Sequence, residues 1–318
     1  MYLSHYDLKY KPFKTNPNPS FLWFGEKHKE AFSILKHGIM ENGGFLLLTG
    51  DAGTGKTSLL RYLVKLIDDK SIVVTVPDPD LNPIDFFNYL SAEFKMNKYF
   101  NNKVDFIIHF KRFLLAAHSR QKKVILIIDE AHRLSHELLE QIRLFSNIEL
   151  DNRKLINIFL VGQNEIEDLL MDERNKAIRQ RIAAAYHINH LTAPETKDYI
   201  YHRLKVAGAK KNMFTPEACQ EIYSISEGIP RLINSICDCA LISGYADGKK
   251  LIDLNYIKEC QMDLRIPLGI KPAPGQEAAC FSENEAPVQS HFPKKLLIFL
   301  VILLSAFTGY FLFIQFAD

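Results

Sequence analysis

Short apolar runs alternate with longer amphipathic stretches through the first part of the chain. Residues 44–49 (GFLLLT) run apolar into glycine, the pattern of a buried strand. Thr57 to Leu66 then carries apolar side chains at helical spacing, and 71–76 (SIVVTV) is a β-branched run closed by Pro77. Asn82 to Phe94 opens with Asn-Pro, a helix start, and Asp105 to His118 is a second amphipathic helix. Val124 to Ile128 (VILII) is apolar at every position, as a central parallel strand covered on both faces must be. Leu155 to Val161 reads as a fourth strand and Ala183 to Ile188 as a fifth. This alternation predicts an α/β fold, a parallel sheet between helical layers. The aromatics Phe86, Phe87, Tyr89 and Phe94 read as helix core.

From Pro194 to Met262 the strand pattern stops. Helical stretches remain, punctuated by Gly208, Gly228-Ile229-Pro230 and Gly244, and predict a small all-helical second domain. Residues 266–293 hold five prolines among scattered polar residues and read as a flexible linker. Leu296 to Ile314 is nineteen residues without a charge. As a helix it would measure ~28–31 Å, about one hydrocarbon core, and it offers water no polar face. The predicted boundaries are 1–191 for a nucleotide-binding domain with an N-terminal extension, 192–264 for the helical domain, 265–293 for the linker and 294–316 for a transmembrane helix. Lys294 and Lys295 precede the span and only Ala317 and Asp318 follow it. The excess of positive charge on the first side predicts a single pass through the cytoplasmic (inner) membrane, with the large N-terminal part in the cytoplasm.

Composition changes this picture little. The 318 residues are 47% hydrophobic and 24% charged, ordinary for a globular chain, and a net charge of +2 gives no general case for nucleic acid as a partner. Met1 to Lys11 has no apolar core of a secretory signal. The five cysteines form no CxxC pair, so neither a disulfide framework nor a zinc site is expected, and Cys237 and Cys239 read as small apolar helix residues.

Chemistry enters at Gly50-Asp51-Ala52-Gly53-Thr54-Gly55-Lys56-Thr57, which matches G-x-x-x-x-G-K-[ST] between a predicted strand and a predicted helix. The glycines let successive N–H groups face phosphate oxygens, Lys56 supplies a charge for the β- and γ-phosphates, and Thr57 offers a hydroxyl to Mg²⁺. Ser58 completes the nucleotide-binding set at the start of the helix. Val124–Ile128 is followed by Asp129 and Glu130, roughly seventy residues beyond the loop. A carboxylate at that strand end can hold Mg²⁺, and the next can activate the attacking water. Asp129 is therefore assigned to magnesium and Glu130 to catalysis. His132 is expected either to touch this site or to lie in surface packing.

These motifs have company. Tyr6–Phe13 (YDLKYKPF), Asn16-Pro17-Asn18-Pro19, Phe21-Leu22, Gly43-Gly44-Phe45, Asp129-Glu130-Ala131-His132, Val161-Gly162-Gln163, Arg179-Gln180-Arg181-Ile182 and Gly228-Ile229-Pro230-Arg231-Leu232-Ile233-Asn234 resemble the ExeA, or general secretion pathway protein A, family of AAA+ ATPases. The resemblance spans about residues 1–262, and transposition helper ATPases share much of the set. It implies a P-loop AAA+ sheet in strand order 5-1-4-3-2 and a nucleotide site between that domain and a helical lid. It also implies a γ-phosphate sensor at Gln163, an arginine finger at Arg181 in preference to Arg179, and a second sensor at Arg231. The Pro12-Phe13 region would lie near adenine, although Phe13 reads equally as a core aromatic. One departure is Asp78, in Pro77-Asp78-Pro79, where such proteins usually carry an Asn that gates the catalytic Glu. The residues after the span are too few for the peptidoglycan-binding domain such proteins often carry, so no cell-wall role is expected.

The expected function is a membrane-anchored ATPase that uses ATP and Mg²⁺ to drive or regulate an envelope-spanning machine for secretion or polysaccharide export. The expected partners are further copies of the chain, in a homo-oligomer, and a membrane protein of that machine; nucleic acid is not expected. The alternatives are a DNA-associated adaptor like the transposition helpers, and a nucleotide-dependent scaffold that does not hydrolyse.

Overall fold

The computed structural model describes residues 2–14, 19–40, 44–67, 71–150 and 153–264. The linker and transmembrane helix expected at 265–293 and 294–316 lie outside them. No helix among the described residues is long and apolar enough to cross a membrane.

Five parallel strands form the sheet: β1 (Phe45–Gly50), β2 (Ser71–Val76), β3 (Lys123–Ile128), β4 (Ile156–Val161) and β5 (Ile182–Ile188). Their order is β2-β3-β4-β1-β5, which is 5-1-4-3-2 read from the other edge. β1 and β4, at the centre, are buried at every residue. Their side chains nevertheless divide by alternation. Phe45, Leu47, Leu126, Ile128, Ile158 and Leu160 face one core, whereas Leu46, Leu48, Ile125, Ile127, Phe159 and Val161 face another.

The first core is closed by α3 (Pro83–Glu93), α4 (Lys103–Ser119) and α5 (His136–Phe145). Aromatic packing dominates it: Phe87 stacks on Phe106 at 4.5 Å, and Phe106 on Phe110 at 5.3 Å. Asn82, Asn102 and Ser135 cap the three helices by accepting backbone N–H groups. The predicted aromatic stripe is core, apart from half-buried Tyr89, whose hydroxyl donates to the Thr75 carbonyl at 3.2 Å. The second core is closed by α1 (Glu26–Met40) and α2 (Lys56–Leu66), the latter starting directly at the glycine-rich loop. A short α6 (Glu165–Met171) follows β4.

Beyond the sheet come α7 (Ala193–Val206), α8 (Pro216–Ser226), α9 (Pro230–Ala246) and α10 (Leu254–Asp263). Thr192 and Glu195 form a reciprocal capping box at the start of α7. These helices bury a third core around Ile200, Ile233, Ile236 and Ile257. Tyr2, Tyr6, Leu8, Phe13 and Phe21 belong to that same core. The opening segment, grouped by sequence with the nucleotide domain, thus buries its apolar side chains among the helices.

Candidate functional site

The loop after β1 turns at Gly53 and Gly55, both in the left-handed region (φ 86° and 104°), which presents the start of α2 to the cleft above the sheet. Lys56 is buried, and its Nζ donates to the carbonyls of Gly50 (2.6 Å) and Asp51 (2.9 Å). Burial lowers its pKa, an effect opposed by the nearby carboxylates of Glu130 and Asp129. A lysine ammonium held on loop carbonyls is well placed to pass to a phosphate.

β1 and β3 carry their C-terminal ends to the same edge. There the Thr57 hydroxyl donates to Asp129 Oδ2 at 3.1 Å, and the Glu130 N–H donates to Asp129 Oδ1 at 3.1 Å. Burial raises the pKa of Asp129 despite these bonds, so its anion lacks a full counter-charge. A hydroxyl and a buried carboxylate side by side are hard oxygen donors that fit Mg²⁺. Glu130 sits in left-handed backbone (φ 51°, ψ 36°), and its half-exposed side chain faces the cleft.

The cleft measures about 480 Å³. Ala52 to Ser58, Glu130, Gln163 and Arg231 line it, so the predicted loop, catalytic and sensor positions meet in one place. Arg231 stands at the start of α9. Its backbone N–H donates to the Gly53 carbonyl at 3.3 Å, and a Cβ on Gly53 would come within 2.7 Å of the Arg231 Cβ. Asp51 takes a different place: its carboxylate accepts from Asn164 (2.8 Å) and lies 2.7 Å from His190 Nε2, which ties the loop to the segments following β4 and β5.

Arg181 is not in this group. It precedes β5 at the sheet edge where Phe45 opposes Ile182, a strand length of about 17–20 Å from the loop. It donates to Ser146 Oγ at 2.9 Å and to Asn147 Oδ1. Arg179 donates to the Leu170 and Met171 carbonyls, both at 3.0 Å. Asp78 and Asp80 bind the guanidinium of Arg133, in the turn just after Glu130.

The far end of the cleft was missed by sequence. Phe13 is a core aromatic, edge-to-face with Phe214 at 6.1 Å. The cleft is lined instead by Phe21, Leu22 and Trp23, with Tyr199, Arg203 and Asn234 beneath. Arg203, buried, donates to the Pro12 carbonyl (2.6 Å), the Lys14 carbonyl (3.2 Å) and the Tyr199 hydroxyl (2.7 Å), and Tyr199 donates onward to Asn234 at 3.0 Å. His28, also buried and with its pKa lowered chiefly by burial, lines the loop side. Phe21-Leu22 and Asn234 stood within the motifs of the family resemblance, and these with the neighbouring Trp23 were the available signal.

A family model described as "AAA domain" matches residues 39–170. General secretion pathway protein A of Aeromonas hydrophila is 37% identical over 254 residues, which cover 79% of this chain. The resemblance to general secretion pathway protein A is borne out. The chain spans 46% of that protein's length, so the resemblance to general secretion pathway protein A concerns part of it. Among solved structures, the Aeropyrum pernix ORC2 protein matches with a TM-score of 0.59 at 16% identity, covering 80% of this chain and 71% of that one. Thermotoga maritima RuvB, the Holliday junction branch migration motor, matches with 0.52 at 19% identity, covering 76% and 70%. At such identities these two speak for the fold alone; together with the AAA domain match, the fold is an α/β P-loop AAA+ fold with a parallel sheet.

Proposed function

We propose that the chain binds ATP with Mg²⁺ and hydrolyses it. The observation that carries this reading is the contact of Thr57 with Asp129 beside Glu130 and Lys56, at one end of a cleft whose other end is aromatic. The loop N–H groups and Lys56 would hold the phosphates, and Thr57 and Asp129 would hold the magnesium ion. When bound, that ion supplies neutralisation of the charge that develops on the phosphate oxygens. Glu130 would take the proton of the attacking water, while Gln163 and Arg231 would contact the terminal phosphate. Arg181, about a strand length from its own cleft, would serve a neighbouring copy, which requires a homo-oligomer.

We further propose the domain division 1–191, 192–264, 265–293 and 294–316, with the opening segment of the first packed on the core of the second and the last as an anchor in the cytoplasmic membrane. Nucleotide-dependent packing of lid and neighbouring subunits would then act on a membrane partner in a secretion or polysaccharide export machine. Support for the pathway is the 37% identity to general secretion pathway protein A.

The test is ATP turnover by the full chain across a range of protein concentrations. The expected outcome is activity that rises more than linearly with concentration, is abolished by Lys56→Ala, and falls at least a hundredfold with Glu130→Gln, about the least that loss of a general base costs. Turnover indifferent to both substitutions would reject the assignment.

A further inference from the structure

The turn Ala131–Arg133 joins two groups that the proposed hydrolysis uses but that share no strand. His132 Nδ1 lies 3.4 Å from the Gln163 backbone nitrogen, which donates to it, and 3.6 Å from Glu130 Oε2. The imidazole is largely buried, at 17% side-chain exposure, so its position is set by packing. Gly162 makes that position available: a Cβ there would come within 3.1 Å of the His132 backbone nitrogen and 3.5 Å of Nδ1. Arg133, held by Asp78 and Asp80, anchors the other side of the turn.

One nitrogen facing both groups can serve only one at a time. With the proton on Nε2, the single lone pair of Nδ1 accepts from the Gln163 N–H and the nitrogen has no proton with which to hold the Glu130 carboxylate. With the proton on Nδ1, it donates to Glu130 and releases the Gln163 amide. The two arrangements differ only in which ring nitrogen carries the proton, and it passes between them through solvent.

We propose that His132 is a positioning residue that couples the β4 end bearing Gln163 to the carboxylate of Glu130. This rests on the hydrolytic reading above. A shift of Gln163 toward a terminal phosphate would free Nδ1 to hold Glu130 in line with the attacking water.

The test compares His132→Ala, His132→Asn and His132→Gln in the full chain, reading kcat for ATP, affinity for a fluorescent ATP analogue, and the melting temperature. An Asn amide reaches about where Nδ1 sits and a Gln amide about where Nε2 sits. The expected result is a kcat lowered about ten- to a hundredfold by Ala and by Gln, restored to within a few fold by Asn, with nucleotide affinity unchanged throughout. An unchanged kcat in His132→Ala overturns the inference, as does rescue by Gln equal to that by Asn. Loss of kcat and affinity in equal measure also overturns it. Either of the first two outcomes leaves Glu130-dependent turnover of the unmodified chain in place. Absence of that turnover, with Glu130→Gln as the control, overturns the hydrolytic reading and this inference together. If His132→Ala melts too low to assay, the Asn and Gln variants still decide.

Discussion

Asp129, the proposed magnesium ligand, is held at a cost to the fold. Burial raises its pKa, so the folded chain prefers the protonated acid and its anion costs stability once pH climbs above the ordinary carboxylate range. The stabilising term is complete below the unfolded pKa and is lost as pH rises through the folded one. Asp129→Asn, which keeps the shape without the charge, should therefore raise the melting temperature of nucleotide-free protein at neutral pH. The gain should shrink toward pH 4 and below, while magnesium-dependent turnover is lost. Calorimetry at two pH values checks the first part; a melting temperature that falls at neutral pH would contradict it. At this scale the sequence was informative wherever function is carried by neighbours in the chain. Gly50 to Ser58 and Asp129-Glu130 could be read because loop, strand end and side chain adjoin. Tyr199 and Arg203, both on α7, and His28, on α1, could not, because they reach the cleft from helices distant in sequence from the loop and nothing local marks them.

At the scale of elements, the junction of sheet and helices depends on a glycine. Gly228 has φ 75°, and a Cβ there would stand 1.9 Å from the Leu191 carbonyl oxygen. Its own carbonyl accepts from the Leu191 N–H at 3.0 Å, which pins the turn before α9 to the residue that follows β5. Gly228→Ala should cost about 2–4 kcal/mol, since strained backbone and a steric clash add. It should also weaken nucleotide binding by displacing Arg231 from the loop. Denaturant midpoints and nucleotide titration measure the two effects, and a stable variant with normal affinity would refute the argument. The strands were legible because apolar runs covered on both faces leave a local pattern, and even their order followed once the family resemblance was in view. The helix α1 was not identified, since its charged first turn, Glu26-Lys27-His28-Lys29-Glu30, hides a buried face of Ala31, Leu35 and Ile39.

At the scale of the molecule, the described residues are tied together by contacts between positions far apart in sequence. Arg203 bonds the carbonyls of Pro12 and Lys14, and the Tyr6 hydroxyl donates to the Leu241 carbonyl at 3.1 Å. Arg203→Ala would leave two carbonyls without their donor and should destabilise the chain by about 2–4 kcal/mol. Nucleotide affinity should fall with it, because the same cluster underlies the aromatic end of the cleft. An equilibrium unfolding curve that matches the unmodified protein would count against this. No reading of local pattern could assign Tyr2 or Phe13 to the helical core, because their partners come some two hundred residues later.

That separation has a consequence during synthesis. This segment leaves the ribosome well before the helices it packs against. At about 5–20 residues per second, Tyr2, Tyr6 and Phe13 would wait roughly 10–50 s for α9 and α10 to emerge, while the sheet assembles between them. Throughout that interval the apolar surface these aromatics bury in the fold would stay exposed, as incompletely folded intermediates do.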